Sequence, residues 1–180
     1  MEELLQVFLD STLRLLNYDG GGIYLIDQVS NTASLAYSKN LPDELLARVR
    51  TVATQIPPYD SLFVKGQPLI TNNYSAVSSK ATSYGICSLA SIPLSTKGRI
   101  IGALNVFSKE QTDITDQEQS TLISIGSELG NTINRMTTEE ALMDAYETLA
   151  SAEEELRGQY EELSETQEEL RRNSESNKSS

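Results

Sequence analysis

The chain has 180 residues with 14 Lys+Arg against 26 Asp+Glu, a formal net charge of −12, and it holds no histidine and one cysteine, Cys87. Without imidazole there is no Ser-His or Cys-His nucleophile pair, no histidine metal ligand and no phospho-accepting histidine, and one thiol excludes an internal disulfide or a multi-thiolate metal site. No apolar run approaches the ~20 residues that span a bilayer, and the acidic segment after Met1 lacks a basic n-region or cleavage site, so a cytoplasmic protein without membrane insertion is expected.

Residues 2–16 set Leu4, Leu5, Phe8, Thr12, Leu15 and Leu16 at helical spacings, predicting an amphipathic helix that stops at Asn17-Tyr18-Asp19-Gly20. Gly20-Gly21-Gly22 is expected to be a turn that releases the chain into a strand. It is no phosphate loop, because no Lys-Ser/Thr follows it and no helix comes next. The runs Gly22 to Asp27 and Ala33 to Ser38 are β-rich and joined by Gln28-Val29-Ser30-Asn31, which predicts a hairpin. Pro42 opens a second helix carrying Leu45, Leu46, Val49, Val52 and Ala53, expected to run on until Pro57-Pro58. Lys65-Gly66-Gln67-Pro68 then turns into a short strand, Leu69-Ile70-Thr71, and Asn72 to Tyr84 is a polar loop of a length that is usually functional. Ile86 to Leu94 and Ile100 to Phe107 are strands around Ser95-Thr96-Lys97-Gly98. Thr115 and Glu118 form a capping box for a helix whose buried face is Leu122, Ile125, Leu129, Ile133 and Met136. Hairpins rather than βαβ units imply an antiparallel sheet with flanking helices, a fold of the α+β class.

A different pattern takes over near residue 136. Leu142, Leu149, Leu156, Leu163 and Leu170 stand one heptad apart beside a column of Glu140, Glu147, Glu154, Glu161 and Glu168. Residues 1–136 hold 10 Lys+Arg against 13 Asp+Glu and residues 137–180 hold 4 against 13, so the acidity belongs to the second part. With no Lys/Arg cluster to neutralise phosphates, nucleic acid is not an expected partner. The division expected is a sensor-sized domain over 1–136, a long helix or coiled coil over 137–172 and a disordered polar tail over 173–180. Placing the leucines at d puts Tyr146, Glu153, Tyr160 and Gln167 at a; placing them at a puts Ala145, Ala152, Gln159 and Thr166 at d. A lone charged helix and a parallel dimer both remain open. Leu129, Met136 and Met143 form a second column of sevens offset by one from Leu142, so the packing phase is expected to change across 135–141.

The segments Gly22-Ile-Tyr-Leu-Ile-Asp27, Phe63-Val-Lys-Gly-Gln-Pro-Leu-Ile70, Ser88-Leu-Ala-Ser-Ile-Pro-Leu94 and Ile101-Gly-Ala-Leu-Asn-Val-Phe107, in this order, resemble the GAF domain family over about residues 2–136. The stretch Ala152-Glu-Glu-Glu-Leu-Arg-Gly-Gln-Tyr-Glu-Glu-Leu163 is similar to the helical linkers that join GAF or PAS domains in archaeal and bacterial sensor histidine kinases, although no kinase domain is present. The resemblance implies a ligand held between the sheet and the middle segment 59–87, with a lining drawn from Asp60, Phe63, Asn72, Tyr74, Tyr84 and Cys87 and a floor from Ser91 and Asn105. It further implies a non-catalytic sensory domain of a histidine-kinase type signalling protein, a homodimer through the N- and C-terminal helices, and PAS or histidine-kinase domains as partners.

The ligand itself is unknown at this level. Cyclic-nucleotide GAF domains carry an Asn-Lys pair, a downstream Phe and then Asp-Glu; the matching stretch is Ser108-Lys109, Ile114 and Glu118-Gln119, which keeps the lysine and one carboxylate. Bilin attachment uses a cysteine beside a histidine, and haem or redox sensing would have to act through Cys87 alone; both are disfavoured, since a free Cys most often behaves as a small buried hydrophobe. Family members that reduce methionine sulfoxide need more than one cysteine. Asp113, Asp116 and Glu118 are placed where a helix dipole favours carboxylates, so they are not assigned to a metal. Two alternatives stay open beside the sensor: a ligand-free dimerisation or spacer module, and a redox or haem sensor through Cys87.

Overall fold

Helix α1 (Glu2–Leu16) buries Leu5, Leu9, Thr12 and Leu13, and ends where Asn17 adopts the left-handed conformation at φ 57° and its N–H reaches back to the Leu13 carbonyl. Leu15, expected on the buried face, is exposed instead; Leu9 and Leu13 take that role. The computed structural model describes residues 1–76, 81–110 and 113–178, giving the backbone of residues 81, 82 and 178 without their side chains. It comprises two units, Met1–Arg135 and Met136–Ser180.

The first unit holds a six-stranded antiparallel sheet, β1 (Gly20–Asp27), β2 (Thr32–Lys39), β3 (Thr51–Ala53), β4 (Leu69–Thr71), β5 (Ser88–Thr96) and β6 (Arg99–Ser108), in the order β3-β2-β1-β6-β5-β4. The α+β architecture with helices flanking an antiparallel sheet is the one expected from the sequence. Two expectations are corrected. The glycines 20–22 are not a turn but the first three residues of β1, where a Cβ on Gly20 would lie 2.7 Å from the Lys39 carbonyl and one on Gly21 would collide with that of Asn105. The second helix, α2 (Asp43–Val49), stops eight residues before Pro57, and Thr51–Ala53 pairs with Ser34, Ala33 and Thr32 as an edge strand. Pairing decides that boundary, because the Arg50 carbonyl is taken by the Leu35 N–H rather than by a further helical turn.

Between β3 and β5 the chain forms three short pieces, α3 (Tyr59–Phe63), a 3₁₀ turn (Tyr74–Ala76) and α4 (Ala81–Tyr84). Residues 77–80 of the expected polar loop lie outside the described residues. Lys97 and Gly98 both have positive φ, 47° and 76°, so β5 and β6 are joined by the two-residue turn whose twist matches paired strands.

Alternation along β5 and β6 separates two chemistries. Ala90, Ile92 and Leu94 face the same way as their partners Val106 and Leu104, and with Leu5, Leu9, Leu122 and Leu129 they make a helix-covered core. Each fully buried leucine in it contributes about 2 kcal/mol. Leu89 and Ser91, with their partners Phe107 and Asn105, face the other side. There a smaller cluster of Tyr24, Ala33, Val52, Leu62, Phe63 and Ala103 surrounds a space that side chains do not fill.

Helix α5 (Asp116–Lys178) begins at the expected capping box: the Thr115 N–H and hydroxyl donate to Glu118 Oε2 at 2.7 and 2.9 Å, and the Glu118 N–H donates to Thr115 Oγ1. Gly126 and Gly130 let it approach β5 closely, and Thr96 Oγ1 donates to Asn131 Oδ1 at 2.9 Å. In the second unit the five heptad leucines are 54–64% exposed. Residues 173–178, expected to be polar tail, are helical; nothing after Gly158 breaks the helix, and Arg171 and Arg172 sit near Glu175 and Glu168 at i,i+4 spacing. Residues 179–180 lie outside the described residues.

Candidate ligand-binding site

The unfilled space is a cavity of about 300 Å³ on the sheet face opposite α1. Its floor is Gly21, Gly22 and Tyr24 of β1, Leu89 and Ser91 of β5, and Asn105 and Phe107 of β6. Gly22 belongs there for a steric reason, since a Cβ would stand 2.6 Å from Leu35 Cδ1 and 3.3 Å from the Tyr37 carbonyl. One wall comes from Leu41, Leu45, Val49 and Val52, the inner face of α2 and the strand after it. The opposite wall is Pro58, Tyr59, Leu62, Phe63, Leu69, Tyr74 and Ile86. The cavity is at the lower end of the size range of small-molecule pockets, roughly 300–1,000 Å³.

Tyr24 is the organising side chain. It is 5% exposed, its hydroxyl donates to the Val49 carbonyl at 2.8 Å, and its ring meets Phe63 edge-on with centroids 6.4 Å apart. That bond ties the end of α2 to the floor. Burial, and then the nearby Tyr59 and Tyr74 phenols, push the Tyr24 hydroxyl well above its ordinary range, so it stays a neutral donor. Asn105 lines the cavity half-buried, while its Oδ1 is shielded and has no hydrogen-bond partner among the described residues. Among the described residues, no Lys, Arg, Asp or Glu lines the cavity.

Of the eight residues expected at the site, Phe63, Tyr74, Ser91 and Asn105 line the cavity. Asp60, Asn72, Tyr84 and Cys87 do not. Asp60 pairs with Lys65 at 3.1 Å while its carbonyl accepts the N–H groups that end α3. Asn72 turns toward α5: its Nδ2 donates to Asp113 Oδ1 at 3.1 Å and its Oδ1 accepts the Ile114 N–H at 3.1 Å. Tyr84 ends α4 half-buried. Cys87, expected to open a strand as a core residue, precedes β5, is half-buried, and its thiol donates to the Lys109 carbonyl at 3.1 Å. Lys109 and Glu118, weighed for a cyclic nucleotide, do not line the cavity; the Lys109 backbone N–H donates to Asp19 Oδ2 at 2.7 Å and Glu118 is in the helix cap.

Sequence reasoning missed Tyr24 and the α2 wall. The signal was partial: Leu45 and Val49 fall at i and i+4 on α2, whereas Val52 reaches the wall from β3.

The family model described as GAF domain matches residues 1–134. Among solved structures, the chain is similar to a domain of a protein named as a two-component sensor histidine kinase from Sinorhizobium meliloti (TM-score 0.67, 24% identity, covering 79% of this chain and 96% of that one). It is similar also to a GAF domain/HD domain protein from Geobacter sulfurreducens (TM-score 0.65, 17% identity, 76% and 94%). A third is the GAF domain of an Acinetobacter phosphoenolpyruvate-protein phosphotransferase (TM-score 0.64, 18% identity, 76% and 84%). At these identities the likeness is one of fold. No curated protein matches the chain.

Proposed function

The chain belongs to the GAF domain family over residues 1–134, and from that premise we propose that it is a non-catalytic sensory domain of a signal-transduction protein, binding a small molecule in the cavity beneath Tyr24. The observation that carries this reading is the cavity itself: Phe63 and Tyr74 line it rather than fill it, and Tyr24, Ser91 and Asn105 add polar residues to a largely apolar lining. A spacer without a ligand would have that volume filled, at the packing density of other interiors. The absence of histidine and the single, non-lining thiol in the sequence support a binding role over a catalytic one.

The output side of the proposal is a parallel homodimer acting in the cytoplasm beside PAS or histidine-kinase partners. Its support is the exposed leucine stripe Leu142 to Leu170, a face that a second copy of the rod would cover. Ligand binding then acts by population shift, the occupant preferring one packing of the paired helices.

Native mass spectrometry of the full chain, purified gently from cells, tests both halves. The expected result is a dimer carrying a small-molecule adduct that is lost in Leu89→Trp, whose indole fills the cavity. A bare chain with the same mass balance in parent and variant, and no thermal stabilisation from a metabolite library, would replace the sensor by the spacer module. A monomer at micromolar concentration would remove the coiled-coil output.

A further inference from the structure

Helix α2 is the wall of the cavity with the least support of its own. Its seven residues fall far short of the ~12–15 that an isolated helix needs to be stable in water, and Pro42, before it, provides no side-chain cap. None of its residues is buried. Asp43, Glu44 and Arg48 are exposed, while the inward face of the segment, Leu41, Leu45 and Val49, lies against the cavity. Those three side chains meet unfilled space where the face of a core helix meets a packed neighbour, so packing holds α2 down only weakly.

The ends of the segment are better fixed. Before it, Asn40 is left-handed at φ 57° and its Nδ2 donates to the Asp19 carbonyl at 2.7 Å. After it, the Arg50 carbonyl accepts the Leu35 N–H at 2.8 Å and β3 joins the sheet. Between these anchors the Tyr24 hydroxyl donates to the Val49 carbonyl at 2.8 Å. The last four carbonyls of a helix have no partner within it, so a phenol from the cavity floor satisfies one that α2 cannot satisfy itself. A bond from the floor to the end of a wall exists only while that wall lies over the cavity.

We infer that α2 is the gate of the cavity, swinging out on its anchors at Asn40 and Arg50 to admit a small molecule, and that Tyr24 is the positioning residue that latches it shut. This rests on the small-molecule reading of the same cavity. An occupant gives Leu41, Leu45 and Val49 further atoms to pack against, so it favours the closed helix, and the closed helix retains it.

Hydrogen exchange of the full chain at low urea, read by mass spectrometry on peptic fragments, compares the α2 amides Leu46 to Arg50 with those of α3 and of β5 and β6. The expected result is that α2 exchanges at least about tenfold faster than the two strands, at a rate that urea leaves unchanged, because a local opening exposes little surface. In Tyr24→Phe, which keeps a ring beside Phe63, α2 exchange should rise about fivefold, the scale of one net hydrogen bond, with α3 unchanged. Ser91, 4% exposed on the floor, gives a second reading. The thiol of Ser91→Cys, in a Cys87→Ser background, should react with a bulky disulfide reagent at a rate that Tyr24→Phe raises by the same factor. Exchange of α2 only together with β5 and β6, along the same urea slope, would make it a fixed wall and overturn the gate; that comparison is made on the parent chain and stands even if Tyr24→Phe fails to fold. Equal acceleration of α3 would mean that the Tyr24 hydroxyl steadies the whole site, and thiol reaction indifferent to Tyr24→Phe would mean another route to the floor; either also overturns it. These three results leave the pocket reading intact, whereas an opening α2 on a chain with no adduct and no thermal response to a metabolite library removes the pocket and its gate together.

Discussion

Replacing Gly130 by alanine tests how closely α5 lies on the sheet. A Cβ at Gly130 would stand 2.6 Å from the Ser95 carbonyl oxygen and 3.0 Å from its nitrogen, while ordinary contact begins near 3.4 Å. The obstacle is backbone of a paired strand, so relief requires helix and strand to separate by most of an ångström. Overpacking of this kind costs about 1–3 kcal/mol, and alanine returns about 1 kcal/mol of helix propensity. With paired backbone as the obstacle the upper part of that range applies, about 2–3 kcal/mol, so the net loss expected for Gly130→Ala is about 1–2 kcal/mol, or roughly 3–6 °C in Tm for a chain of this size. Gly126→Ala meets Ile92 Cγ2 at 2.9 Å and the Pro93 carbonyl at 3.2 Å, a milder conflict. Gly158→Ala meets nothing and should gain up to about 1 kcal/mol of local helix stability. Urea unfolding of the full chain followed by circular dichroism should rank Gly130→Ala below Gly126→Ala, with Gly158→Ala at or above the parent. Parent-like or higher stability for Gly130→Ala would refute the close packing of α5 on β5.

Asn72→Ala should cost about 1–3 kcal/mol in urea unfolding, because it strands the Ile114 N–H and Asp113 together; no loss would mean that neither bond contributes. The Tyr18 hydroxyl is pushed up to about 12 by burial and then by the Glu118 charge, whereas an unfolded tyrosine ionises at its ordinary 10.0. The folded form holds the proton more tightly, so stability is intact below pH 10 and falls as pH rises from 10 toward 12; the urea midpoint of Tyr18→Phe should fall less over that window, and parallel curves would discount the effect. In the rod, the glutamate column faces no matching column of cations. Helicity of a peptide spanning residues 137–172 should rise as pH falls from 7 to about 4.5, near the unperturbed glutamate pKa, and a flat dichroism signal would remove like-charge repulsion as a factor.

What the sequence made legible was periodic. The two strands around Ser95 to Gly98 and the Thr115–Glu118 box are local signals, and the structure realises them. The end of α2 was illegible, because the run from Val49 to Ala53 suits a helix or a strand and pairing with Thr32 to Ser34 decides between them. The glycines of β1 were misplaced for the same kind of reason, since the crowding that forbids their Cβ atoms comes from Lys39, Asn105 and Leu35, distant in sequence. At the site, Ser91 and Asn105, which the resemblance implied as floor residues, are among the residues lining the cavity. The irregular segment is mixed, because no period governs it: Phe63 and Tyr74 line the cavity, whereas Asp60, Asn72 and Cys87 serve a salt bridge, the entry to α5 and a carbonyl contact.

The two-sided character of β5 and β6 has an evolutionary reading. Consecutive residues of one strand answer to different masters, one set to the helix-covered core and the other to the cavity. Ser91 can change to another residue that the cavity accommodates while Ile92, its neighbour, keeps its place under α5. Substitutions on the two faces therefore act nearly independently, and the cavity lining can change on an unchanged scaffold. Insertion or deletion of one residue in either strand would instead swap the two faces at a stroke, so variation of this site is confined to replacement.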